Sequence, residues 1–175
     1  MLVYYLIVYD LIVTTPIAPD IDPLALERQV CFALAITNRA VLAIYRPLLD
    51  PLGLTHPQYL VMLALWDYHQ AAAEGGPPLS VKQIATALQL DSATLSPMLK
   101  RLQALGLITR TRSTADERFT DIELTEDGIA LRNRALEIPP AVVARLGVDM
   151  AELEHLHRVL TRINSAALAA DALKI

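Results

Sequence analysis

The stretch from residue 80 to residue 106 limits the fold most strongly, because it joins two short helices through a spacer of very few residues. Ser80 and Gln83 have the spacing of a capping box, which predicts the start of a helix over VKQIATAL. After the spacer QL, Asp91 is a favourable N-cap for the segment SATLSPMLKRLQAL, and Gly106 marks its end. This pattern predicts a pair of helices joined by a tight turn.

Two β-prone runs, LITRTRS and FTDIELT, follow this helix pair and flank the polar segment TADER. Their composition and spacing predict a two-stranded hairpin. The helix pair alone fits an ordinary pair of packed helices equally well, but the hairpin directly after it favours a helix-turn-helix with a wing. We therefore expect a mainly α protein with a small β-hairpin wing, a winged helix-turn-helix.

Most of the rest of the chain is predicted to be helical, since 54% of the residues are hydrophobic and only 5% are aromatic. Asp22 and Pro23 predict the N-cap and first residue of a long helix that runs to Pro47. Thr55 and Gln58 form a second capping box before QYLVMLALWDYH. A long amphipathic pattern, MAELEHLHRVLTRINSAALAADAL, predicts a final helix.

Charge is distributed unevenly along the chain. The net charge is −4, yet residues 80–120 carry six basic side chains against three acidic ones. A positive field confined to the predicted helix pair and hairpin is typical of a surface that enters a nucleic-acid groove.

Residues 1–20 form an apolar extension to which we assign no function. Their apolar start has no basic flank, is interrupted by Asp10 and is too short to cross a bilayer, so we predict neither a signal peptide nor a membrane span. A single cysteine excludes an internal disulfide and favours a reducing cytoplasm.

Several separated motifs resemble one family. The segment DERFTDIELTEDG resembles the wing signature of the MarR family of bacterial transcription regulators, D-x-R followed by L-T-x-x-G. In order and spacing, CFALA, YRPLLDPLGLTHPQYLVMLALW and DSATLSPMLKRLQALGLITR resemble the organic hydroperoxide resistance regulators, in their one-cysteine form. The resemblance runs from about Leu26 to the region of Pro139.

The resemblance implies one compact unit that works as an intertwined homodimer. Residues 21–50 and 129–175 would form the helical dimerisation region, and residues 51–128 the winged helix-turn-helix that binds DNA. Two-fold symmetry then predicts a double-stranded inverted-repeat operator with half-sites about one helical turn apart. We expect a cytoplasmic repressor that is not an enzyme and uses neither cofactor nor metal.

The resemblance also implies which residues contact DNA. The second helix would enter the major groove, where small side chains allow close approach, while capping alone is the alternative role for its hydroxyls. Because Pro97 lacks an N–H, we expect the regular helix to start close to Thr94. The residues of this helix expected at DNA are Asp91, Ser92, Ala93, Thr94 and Pro97.

Basic side chains supply the remaining DNA contacts. By resemblance Arg118, at the tip of the hairpin, enters the minor groove, and Asp116 could hold its guanidinium in place. Four further cations could bind phosphates, although each could equally be a solvated surface charge. These are Lys100, Arg101, Arg110 and Arg112.

Cys31 has two interpretations. Helical spacing places it on one side with Leu34 and Ala35, and a lone cysteine on an apolar helix face is more often buried packing than a reactive group. The resemblance instead implies a peroxide-sensing thiol, whose thiolate attacks an organic hydroperoxide and becomes a sulfenic acid. With no second cysteine, the sulfenic acid would react with a low-molecular-weight thiol or a backbone nitrogen, or oxidise further.

The residues expected to support this thiol depart from the family pattern. Family members use tyrosine hydroxyls, and Tyr45 could reach Cys31 only from the other subunit. Two positions often occupied by tyrosine hold Ala35 and His56 here. We expect His56 to compensate, either as an imidazolium or as a neutral donor, unless it is simply a solvent-facing helix residue.

Two other functions remain open at this point. A MarR-type repressor could be released by a small apolar or phenolic ligand, with Cys31 structural. A cysteine-dependent enzyme would need a base near Cys31, and the four histidines form no triad pattern. His155 and His157 are two apart on a helix and make a poor metal pair.

Overall fold

A computed structural model describes residues 22–71, 77–113 and 120–170. The expectations for the extension over residues 1–20 and for Asp116 and Arg118 lie outside the described residues. The chain divides into two compact units, residues Met1–Val41 and Leu42–Ile175. The first predicted helix begins in the first unit, and the helix-turn-helix and wing belong to the second.

The described residues form a mainly helical structure with a small antiparallel sheet, as the sequence predicts. Two short 3-10 helices, Leu26–Arg28 and Asp50–Leu52, flank the first α-helix. The α-helices and strands are α1 (Val30–Leu49), α2 (His56–Ala71), β1 (Leu79–Ser80), α3 (Val81–Leu88), α4 (Ser92–Ala104), β2 (Ile108–Arg112), β3 (Thr120–Leu124), α5 (Glu126–Ala135), α6 (Ile138–Leu146) and α7 (Met150–Ala169).

The sheet has the order β1-β3-β2, and both pairings are antiparallel. Strands β2 and β3 are the predicted hairpin, with Ile108 opposite Leu124 and Arg112 opposite Thr120. Strand β1 was not predicted from the sequence, and its Leu79 pairs with Ile122. Strand β1 is too short to show the alternation of apolar and polar side chains that indicates a strand, and its partner strand β3 lies far along the chain.

The core of the second unit lies under the helix-turn-helix and the wing. Its fully buried side chains come from the last residue of α1, from α2 to α4 and from both long strands, so these elements pack around one apolar centre. The largest of them are Leu49, Met62, Ile84, Leu95, Leu99, Leu102, Ile108, Ile122 and Val61.

Side-chain caps fix the ends of the two central helices. Ser80 and Gln83 form the complete capping box that the sequence predicts at the start of α3. The turn after α3 places Gln89 in the left-handed region at φ 54°. Asp91 then caps α4 by accepting a hydrogen bond from the backbone N–H of Thr94. The tight turn between α3 and α4 therefore follows from local side-chain chemistry.

The ends of α1 differ from the prediction. The Asp22-Pro23 pair starts a turn, in which Asp22 Oδ1 accepts from Leu24 N at 2.9 Å, and α1 begins only at Val30 after extended Gln29. At its other end, α1 continues through Pro47 to Leu49. Proline removes one backbone hydrogen bond without ending a helix that is already close to its last turn.

The start of α4 also differs from the prediction. The helix begins at Ser92, not near Thr94, so Pro97 lies inside it. The cap at Asp91 fixes the first turn strongly enough to tolerate a proline one turn later. Ser96 Oγ donates to the carbonyl of Ser92 at 2.7 Å, which is a local bond that the proline does not interrupt.

One stretch of the described residues, Val30–Leu52, is long and apolar enough to cross a membrane by length and composition, and Leu49 is its one buried residue. A single stretch of this kind is weak evidence for a membrane span, since a helix that packs against other protein passes the same test.

Candidate nucleic-acid interface and thiol site

The exposed start of α4 carries an ordered carboxylate and an ordered hydroxyl. Asp91 Oδ1 accepts from Thr94 N at 2.6 Å, and its Oδ2 accepts from Thr94 Oγ1 at 2.9 Å. The hydrogen bond from the backbone of Thr94 is the main cause that lowers the pKa of Asp91. Because Thr94 donates its proton to Asp91, its hydroxyl presents acceptor lone pairs to anything that approaches this end of the helix.

The structure brings the five predicted major-groove residues together on one exposed helix end. Ser92, Ala93, Thr94 and Pro97 are exposed along the first turns of α4, next to their cap Asp91. The two phosphate candidates Lys100 and Arg101 are exposed further along the same helix. This end of α4 can therefore approach a groove without losing any contact that holds it.

Strand β2 of the wing places its two arginines differently. Arg112 is exposed at the end of β2, whereas Arg110 is half-buried opposite Ile122. The Nε of Arg110 is buried and has no hydrogen-bond partner among the described residues. A buried donor without a hydrogen-bond partner lowers the free energy of unfolding by about 1–3 kcal/mol. Arg110 therefore carries a destabilising unpaired Nε in addition to its positive charge.

Cys31 is a free thiol near the start of α1 and is exposed in the single chain. Its apolar neighbours Val30 and Leu34 are also exposed, at 50% and 42%. The thiol is therefore open to small reagents in a single chain. Ala35, at the position where the family often has tyrosine, offers no hydroxyl.

The two predicted supporting residues form one aromatic cluster in the second unit. The ring of His56 lies edge-on to Tyr45 with centroids 4.9 Å apart, and Tyr59 lies 6.1 Å from Tyr45. Burial lowers the pKa of His56 and raises the pKa of Tyr45 and Tyr59. Of the two expected forms of His56, the neutral ring is therefore favoured over the imidazolium, and Tyr45 remains a protonated donor.

The Thr55–Gln58 capping box that precedes this cluster is only half present. Gln58 Oε1 accepts from the backbone N–H of Thr55 at 2.8 Å, as predicted. The Thr55 hydroxyl also donates to Gln58 Oε1, at 3.0 Å. The start of α2, which carries His56 as its first residue, is fixed by these bonds.

The sequence did not point to the contacts at the base of the wing. The indole Nε1 of Trp66 donates to the carbonyl of Gly128 at 2.8 Å, over a separation of 62 residues. A side chain at Gly128 would overlap the carbonyl of Leu107, where β2 is about to begin. The lone tryptophan and the glycine of the L-T-x-x-G motif were visible signals, but nothing local indicated that they meet.

A short helix pair with an exposed second helix, followed by a hairpin, defines a winged helix DNA-binding regulator. Residues 43–134 match the family model described as Transcriptional regulator SarA/Rot. The chain is 43% identical to the organic hydroperoxide resistance transcriptional regulator of Bacillus subtilis over 76% of this chain and 87% of that protein.

Solved structures agree with this class. Reduced AbfR bound to DNA matches with TM-score 0.69 and 30% identity over 83% of this chain and 94% of that one; AbfR comes from Staphylococcus epidermidis. Overoxidised AbfR bound to DNA matches with TM-score 0.60 and 32% identity over 79% and 95%. The chain belongs to the MarR family of transcription regulators and, within it, to the organic hydroperoxide resistance regulators.

Proposed function

We propose that this protein is a transcriptional repressor that leaves its operator when an organic hydroperoxide oxidises Cys31. The observation that carries the proposal is an exposed, lone thiol on the first helix of a winged helix regulator. The similarity to a hydroperoxide resistance regulator, at 43% identity, supports the choice of oxidant.

The first chemical step is attack of the Cys31 thiolate on the distal oxygen of the hydroperoxide. The O–O bond breaks, an S–O bond forms, and the alkoxide leaves as an alcohol after taking a proton. The sulfur loses two electrons and the peroxide gains them. Tyr45 and His56, as protonated phenol and neutral imidazole, are the groups with protons to donate at this step, and we assign the contact of Tyr45 with Cys31 to the partner subunit.

A second step follows from the single cysteine. The sulfenic acid condenses with a low-molecular-weight thiol, releasing water and leaving a mixed disulfide on Cys31. Overoxidised AbfR was solved on DNA, so for that relative overoxidation is compatible with DNA binding. For this chain we therefore assign release to the bulkier mixed disulfide, because only a change in the relative free energy of two arrangements can shift DNA binding.

The protein acts as a homodimer in the cytoplasm. Apolar side chains exposed on the N-terminal helices and on α7 support this, since such faces are otherwise unexplained on a soluble regulator. An apolar helix face that packs against a second subunit explains the apolar stretch Val30–Leu52 without a membrane span. These side chains are Leu26, Val30, Leu34, Ile36, Leu156, Leu160 and Ile163.

DNA binding is assigned to α4 and to the wing. Thr94, with its proton engaged by Asp91, accepts from base amino groups in the major groove, and Ser92, Ala93 and Pro97 permit close approach. Four cations neutralise phosphates, and Arg118, stabilised by Asp116, enters the minor groove. The four are Lys100, Arg101, Arg110 and Arg112. The target is an inverted repeat, as the symmetry of a dimer requires.

The test is a gel-shift titration with cumene hydroperoxide and glutathione, using the duplex that the reduced protein selects from a random-sequence pool. Wild type should lose DNA affinity by about 100-fold, which corresponds to about 3 kcal/mol. Cys31→Ser should bind the duplex and ignore the oxidant. Equal insensitivity of both proteins would select the rival, a repressor released by a small apolar or phenolic ligand.

A further inference from the structure

A row of aromatic side chains runs through the second unit from the Tyr45–His56 pair to the base of the wing. Tyr59 lies 6.1 Å from Tyr45 and 6.4 Å from Trp66, measured between ring centroids. Tyr59 and Trp66 are each 3% exposed, so both rings are held by packing on all sides. The row ends at the hydrogen bond from Trp66 to the carbonyl of Gly128.

The far end of this row sits where the wing is attached. Thr125 N donates to the carbonyl of Leu107 at 3.1 Å, and Thr125 Oγ1 donates to the carbonyl of Gly106 at 2.6 Å. Gly128 N in turn donates to Thr125 Oγ1 at 3.0 Å. The start of β2 and the start of α5 are thus fastened together, and Trp66 is the side chain from α2 that bonds to this junction.

We propose that Trp66 is a positioning residue that sets the wing relative to α2 and carries changes at the Tyr45–His56 pair to it. Close packing transmits small displacements instead of absorbing them, because the interior has few voids. A shift of Tyr45 therefore moves Tyr59 and the indole, and the bond to Gly128 moves the wing base. This role rests on the proposed function, in which Tyr45 and His56 border the oxidised thiol.

The first variant is Trp66→Phe, which keeps a buried ring and removes only the donor to Gly128. Its matched control is Tyr68→Phe on the same helix, which removes the donor of a 2.6 Å bond to the carbonyl of Pro77 and leaves the bond to Gly128 in place. In reduced protein, Trp66→Phe should weaken binding to the selected duplex by about 10-fold, and Tyr68→Phe should not. Equal affinities for the two variants would overturn the positioning role.

Transmission is tested by a double-mutant cycle on reduced protein, with Tyr45→Leu, Trp66→Phe and the double variant. If the row couples the two residues, the double variant should lose less affinity than the product of the single losses, by about 5-fold or more. Losses that simply multiply would overturn the inference. The cycle needs no oxidant, so its result does not depend on whether wild type responds to hydroperoxide. Insensitivity of wild type to hydroperoxide would contradict the proposed function alone.

A measurement on unaltered protein covers the case in which Trp66→Phe does not fold. Trp66 is the only tryptophan, so its fluorescence reports this position without labelling. Its emission should change when Cys31 is capped with glutathione in the absence of DNA. Unchanged emission, with mass spectrometry showing a fully capped thiol, would show that the indole does not respond and would overturn the proposal.

Discussion

The imidazole of His56 packs edge-on against the ring of Tyr45, with their centroids 4.9 Å apart. Both rings are half-buried, and burial lowers the pKa of His56 and raises the pKa of Tyr45. The phenol of Tyr45 and the imidazole of His56 are therefore two uncharged hydrogen-bond donors that lie side by side. They are the residues that we propose support the sensing thiol. Charging the imidazole would place a cation in this apolar cluster.

Acid should destabilise the protein partly through His56. Because the pKa of His56 is lowered in the folded chain, the unfolded chain takes up this proton first as pH falls, and stability is lost below the unfolded pKa of about 6.5. Urea unfolding at about pH 7.5 and about pH 5.5 should show this decrease, and His56→Phe should reduce it. A variant as acid-sensitive as wild type would contradict the prediction; His69→Phe, at an exposed histidine of the same helix, is the control.

Gly128 should not tolerate a side chain. A Cβ there would overlap the carbonyl oxygen of Leu107, so Gly128→Ala should lower the free energy of unfolding by about 3 kcal/mol or more. Gly147→Ala is the matched control, since Gly147 has open space around it and only its φ of 62° opposes alanine, at about 1 kcal/mol. Chemical denaturation measures the free energy of unfolding of both variants. Equal losses would show that the overlap with Leu107 does not determine the loss at Gly128.

Asp91 should act on DNA binding mainly as a cap. Asp91→Asn keeps an oxygen that can accept from the backbone of Thr94, whereas Asp91→Ala removes it. We expect Asp91→Ala to weaken DNA binding and loosen the first turn of α4, measured by amide hydrogen exchange at Thr94, and Asp91→Asn to change little. If both variants weaken binding equally, the negative charge and not the cap is what matters.

The two arginines of β2 should separate stability from phosphate binding. Arg110→Met removes a buried Nε donor that has no hydrogen-bond partner among the described residues. The free energy of unfolding should therefore stay the same or rise by about 1 kcal/mol. Arg112→Met, on the exposed part of β2, should leave stability unchanged. Each variant should reduce the slope of log affinity against log salt by about 0.9 if its arginine binds one phosphate. An unchanged slope in both would remove these residues from the DNA interface.

Local chemistry explains what the sequence predicted correctly. The box of Ser80 with Gln83 and the cap at Asp91 each involve residues three apart, so α3, the turn and α4 could be placed from neighbouring letters alone. The hairpin was visible for the same reason, because its strands have β-prone composition and a polar segment between them.

Contacts over long separations explain what could not be predicted. Strand β1 exists only because Leu79 meets Ile122, and the importance of Trp66 appears only once its indole reaches Gly128. Because proline is disfavoured inside a helix, Pro97 predicted a helix start close to Thr94. Asp91 instead caps a helix that starts at Ser92 and includes Pro97. The exposure of Cys31 depends on what covers α1, which no pattern within that helix records.

The most direct test of the account follows the thiol and the DNA in one titration. Cumene hydroperoxide is added to the protein–DNA complex with glutathione present, and each point is divided between intact-mass analysis of Cys31 and a gel shift. The account predicts that the fraction of Cys31 carrying glutathione and the fraction of DNA released rise together. DNA released while Cys31 stays reduced, or DNA retained on fully capped protein, would contradict it.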